Sequence, residues 1–558
     1  MRKHLLFIAL TLGFMSLSAQ NFHWAKGIGG SGNDNGRSVA NDAAGNIYIL
    51  GMFDGTVDFD PGSGVFNLTS AGMSDIFISK LDANGNFVWA KSIGGTNSED
   101  SRSITIDASG NVLATGYFQG TVDFDPGSGT SNLTSAAPDI FILKLDGNGN
   151  FVWANKVGGT GVDISQGIAA DRQRNVYVTG IYSTTADFDP GAGTSNLTSK
   201  GSTDVFISKY DSMGKFVWAK SVGDSGIDYG NSIAVDSVGN VFVSGQFQFT
   251  VDFDPGTSQN LIKTIGFADV FIIKLNTAGN FVWAKNMGGT AGGTQGTNAF
   301  SITVNKKGQV YTTGNFLGTI DFDPGTSKTE LTALGSKDAF VLKLENNGNF
   351  VWARRFGSMF EDDVRSIATD AAGNVYTSGG FQTTIDVGIA NIKSNGSLDI
   401  FIMALDDAGN FKWAQNFGGV TVDGGSAVSV DAWGNVYTTG YFTGNVDFDP
   451  GTAVFGVSSK GGTQDAFVTK VSPLALGGIK SKAAKHQLSI FPNPSQGKFS
   501  IISDIQLNEI EVLNAAGQSI LKMQPGGKAV SFEIEQSGVY FVKINSGNSV
   551  ATKKILVK

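Results

Sequence analysis

Phe87-Val88-Trp89-Ala90-Lys91 follows the turn residues Asp82-Ala83-Asn84-Gly85-Asn86 and precedes the glycine pair Gly94-Gly95. Its aromatic-Xaa-Trp-Ala core returns through the chain, with tryptophans at Trp24, Trp89, Trp153, Trp218, Trp283, Trp352 and Trp413. Successive tryptophans are 65, 64, 65, 65, 69 and 61 residues apart. That period is too long for a helical-hairpin or leucine-rich repeat and suits four short strands with their loops, which is one blade of a β-propeller.

One unit supplies the four strands in order. Phe87 to Lys91, then Ser103 to Asp107, then Asn111 to Phe118, then Asp139 to Leu145 are the strand candidates, the last running through a turn into Phe151-Val152-Trp153 of the next unit. Asp107-Ala108-Ser109-Gly110-Asn111 and Asp146-Gly147-Asn148-Gly149-Asn150 read as tight hairpins, Asp capping and Gly taking positive φ. The Phe-rich strand recurs as an apolar run such as 140-Ile-Phe-Ile-142, 205-Val-Phe-Ile-207 and 400-Ile-Phe-Ile-402. Runs without alternation need both faces covered, as in a blade packed between two neighbours. The chain opens with a lone Phe22-His23-Trp24-Ala25 strand, and its last unit ends at Val468 without a tryptophan strand. The N-terminal strand is therefore predicted to complete the seventh unit and close the ring, removing an open edge. The units resemble the bacterial β-propeller repeat family SBBP, through Ser-Ile-Ala-Val-Asp-Ser-Val-Gly-Asn-Val-Phe-Val-Ser-Gly at 232–245. The resemblance implies a fold and no activity.

The predicted fold class is all-β: a seven-bladed β-propeller over 20–474, then a small immunoglobulin-like β-sandwich. Residues 1–19, with Arg2, Lys3 and the apolar run from Leu5 to Leu17, read as a signal peptide. No later segment is apolar enough to span a membrane. Of the 558 residues 16% are charged, 76 are Gly and 41 are Phe, the bias of tight turns and aromatic packing. The absence of cysteine excludes disulfides and thiolate chemistry. A net charge of −9 argues against nucleic acid and anionic membrane as partners.

Residues 475–487, rich in Gly, Ala and Lys, read as a linker. Beyond it come Leu488-Ser489-Ile490-Phe491-Pro492-Asn493-Pro494, Ile510-Glu511-Val512-Leu513-Asn514, Gly538 to Ile544, and Lys553-Lys554-Ile555-Leu556-Val557-Lys558. Residues 488–558 resemble the type A sorting domain of the type IX secretion system, with Phe491 where that family often has Tyr. The resemblance implies passage through the outer membrane by the type IX machinery and cleavage near the linker. It also implies attachment to the outer surface of a Gram-negative bacterium, or release.

The most repeated polar motif is Asp-Phe-Asp-Pro-Gly, whose carboxylates are Asp58 and Asp60, Asp123 and Asp125, Asp187 and Asp189, Asp252 and Asp254, Asp321 and Asp323, and Asp447 and Asp449. Two readings stand for it. The second Asp opens a turn through Pro and Gly, or the pair also holds calcium, which needs more oxygens than two carboxylates supply. The Gly-rich stretches after the tryptophan strands, Gly94-Gly95 with Glu99 and Asp100 among them, read as flexible crossings between blades. The three histidines, His4, His23 and His486, lie in different segments, which excludes a His-based triad or metal cluster. The best break in the symmetry is Arg354, Arg355, Glu361, Asp362, Asp363 and Arg365, either a carboxylate pair with cationic neighbours or a solvated loop. Trp433, outside the repeated position, either stacks on a sugar or packs against a neighbouring loop.

The functional expectation is a secreted or cell-surface, non-catalytic binding scaffold for extracellular polysaccharide or protein, or for adhesion, with no catalytic residue and no cofactor unless calcium. A secreted lyase or glycosidase and a structural surface-layer component are the alternatives.

Overall fold

The computed structural model describes residues 21–289, 296–388, 391–451, 453–472, 488–503, 506–514, 518–546 and 549–557. The predicted signal peptide, the whole predicted linker, and His4 and His486 lie outside the described residues. The described chain is all β, without a helix, and divides into two compact units at residue 473.

In the first unit the same antiparallel four-strand run occurs seven times. In the second repeat it comprises Asp100–Ile106, Val112–Asp123, Asn132–Leu145 and Phe151–Gly159, each paired with the next. In the last repeat Gly424–Val430, Val436–Thr443 and Gln464–Ser472 are joined by the N-terminal strand Asn21–Gly30, with Ala25 opposite Thr469 and Ile28 opposite Ala466. The first strands touch in chain order, and the last of them, Gly424–Val430, also touches the first, Asn35–Asn41. They form a closed cycle.

Burial explains the apolar runs. Ile140, Phe141, Ile142 and Leu143 are all fully buried, because both faces of their sheet are covered by neighbouring repeats. The repeated tryptophan ties each repeat to the next. Trp89 Nε1 donates to the Gly147 carbonyl at 3.3 Å, and Lys80 Nζ donates to the same oxygen at 2.8 Å. Trp153 and Lys144 share the Ser212 carbonyl in the same way, and Trp352 and Lys343 that of Asp407. The accepting carbonyls sit in the Asp-capped hairpins. In one of these, Asp82 Oδ1 accepts the Asn84 and Asn86 amides at 2.8 and 2.9 Å while Gly85 turns at φ +80°.

The second unit has a three-stranded sheet, Leu488–Phe491, Lys498–Ser503 and Ala529–Glu533, and a four-stranded sheet, Glu509–Asn514, Ser519–Met523, Gly538–Ser546 and Ser549–Val557. Its core is built from both, including Phe499 and Ile501 from one and Val512, Val542 and Ile555 from the other.

Candidate functional site

The Asp-Phe-Asp-Pro-Gly carboxylates serve the backbone around them. Asp58 ends the strand Thr56–Asp58, and its Oδ1 accepts the amides of Asp60 at 3.1 Å and Phe66 at 2.8 Å. Asp60 Oδ1 accepts the Gly62 amide at 2.8 Å. Asp123 and Asp125 repeat this geometry, as do Asp187 and Asp189, Asp252 and Asp254, Asp321 and Asp323, and Asp447 and Asp449. The intervening phenylalanine anchors the turn: Phe59 is fully buried, its ring centroid 5.0 Å from that of Phe77. Among the described residues no group of three or more His, Cys, Asp or Glu side chains is placed to hold a metal ion.

The Gly-rich crossings are tightly bonded rather than flexible. Gly30 N–H donates to Asp34 Oδ2 at 2.7 Å, and Asp54 N–H to the other oxygen at 3.2 Å. Glu99, Asp163, Asp228, Asp362 and Asp423 hold the corresponding position, each at most 1% exposed. Each adjoins a second buried carboxylate at the start of the third strand, such as Asp75 beside Glu99 or Asp139 beside Asp163. Burial, reinforced by that neighbouring charge, pushes Glu99 up to about 7 and Asp163 up to about 6.

The charged cluster at the entry to the sixth repeat is dispersed by the strand pattern. Arg354 and Arg355 lie in Phe350–Phe356, the fourth strand of the fifth repeat: Arg354 Nε donates to the Gly409 carbonyl at 2.9 Å, and Arg355 pairs with Asp338 at 2.7 Å. Asp362 is the buried crossing carboxylate of its repeat, raised to about 7 by burial. Glu361, Asp363 and Arg365 reach a different place, the cavity on which the seven first strands converge. Trp433 is 62% exposed, with one ring edge against Gly45 of a neighbouring hairpin. His23 is exposed on the N-terminal strand and bonds Ser472 Oγ at 2.8 Å.

The cavity, about 470 Å³, is where the repeats differ. Each first strand carries a β-bulge at one shared position, where its pairing with the second strand skips a residue. A bulge turns the extra residue away from the ladder, and all seven extra residues line the cavity. They are Arg37, Arg102 and Arg365 in three repeats, Gln166, Asn231 and Ser426 in three more, and Phe300 in the fifth. The residue after the bulge is structural: Ser38 Oγ accepts the Ile104 amide, and Ser366 Oγ the Val428 amide, of the neighbouring first strand. The scaffold thus fixes the position and leaves its chemistry open. Arg102 pairs with Asp100 at 2.8 Å and Arg365 with Asp363 at 2.7 Å, while Glu361 meets Lys337 at 3.3 Å. Arg37 comes only within 4.0 Å of Asp100, and its buried Nε has no hydrogen-bond partner. Sequence reasoning missed this ring; its signal was a position, three residues into each first strand, where Arg, Gln, Asn, Phe and Ser exchange.

Comparison with known proteins agrees with the class. Residues 152–189 and 217–246 match the beta-propeller repeat family, and residues 489–558 match the secretion system C-terminal sorting domain. The chain thus carries β-propeller repeats and a secretion system C-terminal sorting domain, and that domain indicates export to the cell surface or secretion. It is similar to an uncharacterized WD repeat-containing protein of Acanthamoeba polyphaga mimivirus, 24% identical over 71% of this chain and 34% of that protein. It is also similar to the regulatory protein FlaEY of Caulobacter vibrioides, 22% identical over 45% of this chain and 27% of that one. The alignments thus span about a third or less of these relatives' length. Among solved structures, Sqt1 from Chaetomium thermophilum aligns at a TM-score of 0.36 and 11% identity, over 82% of this chain and all of that one. PorZ, a surface component of the type IX secretion system of Porphyromonas gingivalis, aligns at 0.17 and 10%, over 96% of this chain and all of that one.

Proposed function

We propose that residues 20–474 form a seven-bladed β-propeller closed by its N-terminal strand, followed by a linker at 475–487 and an immunoglobulin-like sorting sandwich at 488–558. Residues 1–19 direct export across the inner membrane, and the sorting sandwich then directs passage through the outer membrane, after which the protein is attached to the surface or released. There the propeller acts as a non-catalytic binding scaffold for extracellular polysaccharide or protein. The observation that carries this reading is the contrast between a bonded, repeated frame and one convergent cavity to which each repeat brings a different bulge side chain or neighbour. The cavity carboxylates Glu361 and Asp363, and Asp100 beside Arg102, are each engaged with a cation, which suits orientation of a ligand better than proton transfer. The Asp-Phe-Asp-Pro-Gly carboxylates act as turn caps in this account, without calcium.

The test is retention: the immobilised full chain is exposed to a panel of extracellular polysaccharides and matrix proteins. Saturable capture of an intact partner is the expected result. Self-association with no saturable capture would instead favour a structural surface layer.

A further inference from the structure

The bulge ring is uneven in a way that selects a ligand. The seventh repeat contributes Gly424, Gly425 and Ser426, the least bulky lining of the seven, with Tyr441 packed over Gly424. The first strand of that repeat touches those of the first and sixth repeats, which carry Arg37 and Arg365. Ser426, the smallest bulge residue of the ring, thus lies between two repeats that carry arginine there, with Arg37 reaching towards Asp100 of the second repeat and Arg365 towards Phe300 of the fifth. Arg365 is held in place, stacked on Phe300 at 5.3 Å and paired with Asp363. Asp100 is shared between Arg102 at 2.8 Å and Arg37 at 4.0 Å, so Arg37 has no close acid of its own. The remaining lining is amide and hydroxyl, from Gln166, Asn231, Gln382 and Ser426. These groups complement sugar hydroxyls, and an aromatic ring offers an apolar face to a pyranose. The volume is within the ~300–1,000 Å³ typical of small-ligand sites.

We propose that this cavity binds a carboxylate-bearing saccharide, a uronic acid unit, its carboxylate met by the cavity arginines Arg37 and Arg365 and its ring seated beside Ser426. The assignment rests on the binding-scaffold reading and names its site and ligand class. A planar guanidinium donates two parallel hydrogen bonds to a carboxylate, and Arg37 is the arginine of the ring without a close acid, 4.0 Å from Asp100.

The repeats supply conservative probes. Arg37→Gln, Arg365→Asn and Ser426→Phe each place at one position the residue that another repeat carries there, namely Gln166, Asn231 and Phe300. Calorimetry on the full chain uses tri-galacturonate, the neutral galactotriose, inorganic phosphate and an acidic peptide. Tri-galacturonate is expected to bind best, Arg37→Gln and Arg365→Asn each to weaken it about tenfold or more, and Ser426→Phe to abolish it, with thermal midpoints unchanged. Equal binding of galactotriose, phosphate or the peptide overturns the proposal, as does uronate binding that survives all three substitutions. Polysaccharide retention insensitive to the substitutions would overturn the cavity assignment and leave the scaffold reading standing, whereas shortened uronate chains would overturn the scaffold reading itself.

Discussion

Gly94 lies against the carboxyl group of Asp75 so closely that a Cβ on the glycine would fall 2.1 Å from the Asp75 Cγ. The same approach recurs between Gly29 and Asp465, Gly288 and Asp269, and Gly418 and Asp399. Asp75 is 2% exposed and held by the Ala71 amide and the Ser92 hydroxyl, so it has little room to retreat. Gly94→Ala is expected to destabilise the protein by about 1–3 kcal/mol, as overpacking does, read from urea denaturation. Alanine tolerated without loss would mean that this crossing is loose.

The crossing carboxylates set a pH dependence. Burial raises Asp34 and Asp163 to about 6 and Asp228, Asp362 and Asp465 to about 7, above the unfolded value of 3.8. A raised folded value means the native state holds protons that the unfolded chain has released, so this contribution is complete below about pH 4 and is lost as pH rises through 6 to 7. The hairpin aspartates act in the opposite sense. Burial works against Asp42, but hydrogen bonds from Asn46, Tyr48 and Ala44 outweigh it and hold it below its usual range, a contribution lost on acidification below 3.8. The thermal midpoint is expected to peak between about pH 4 and 6 and to fall towards pH 8. A midpoint that rises from pH 5 to 8 would contradict the buried carboxylate pairs.

Lys144 and Asp107 form the most enclosed ion pair described, at 2.9 Å with side chains 5% and 0% exposed. Lys144→Met leaves the Asp107 carboxylate buried without its cation and should cost about 3–5 kcal/mol. Exposed Lys328, paired with Glu330, is the control, and Lys328→Met should leave stability essentially unchanged.

If the Asp-Phe-Asp-Pro-Gly carboxylates serve only as turn caps, calcium and chelator should leave the thermal midpoint unchanged. Asp60→Ala should cost about 1 kcal/mol, the scale of one lost side chain-to-backbone bond. A calcium-dependent rise in midpoint that Asp58→Asn removes would restore the metal reading.

Much of this architecture is legible in the sequence, because repetition amplifies weak local signals. One Phe-Xaa-Trp-Ala is an ordinary strand, but seven at one period state a unit length. Asp82 to Asn86 announces its hairpin through the residues that make it. The crossings are misread because Gly94-Gly95 has the composition of a loose loop; only packing shows that the glycines make room for Asp75 and Glu99. The charged run 354–365 looks like one cluster in sequence, yet it spans two strands of different sheets, so Arg355 and Arg365 serve different sites. The cavity ring is hidden because its members are about 65 residues apart and chemically unlike. They share only a bulge, and a bulge is a property of pairing rather than of residue type.

The central claim, that this propeller holds its ligand without altering it, is tested most directly by prolonged incubation of the full chain with captured polysaccharide, followed by mass spectrometry of bound and soluble material. The account predicts chains of unchanged length and composition on the protein and none shortened in solution. Shortened, unsaturated or otherwise modified products would contradict it and assign chemistry to Asp363 and Glu361 in the central cavity.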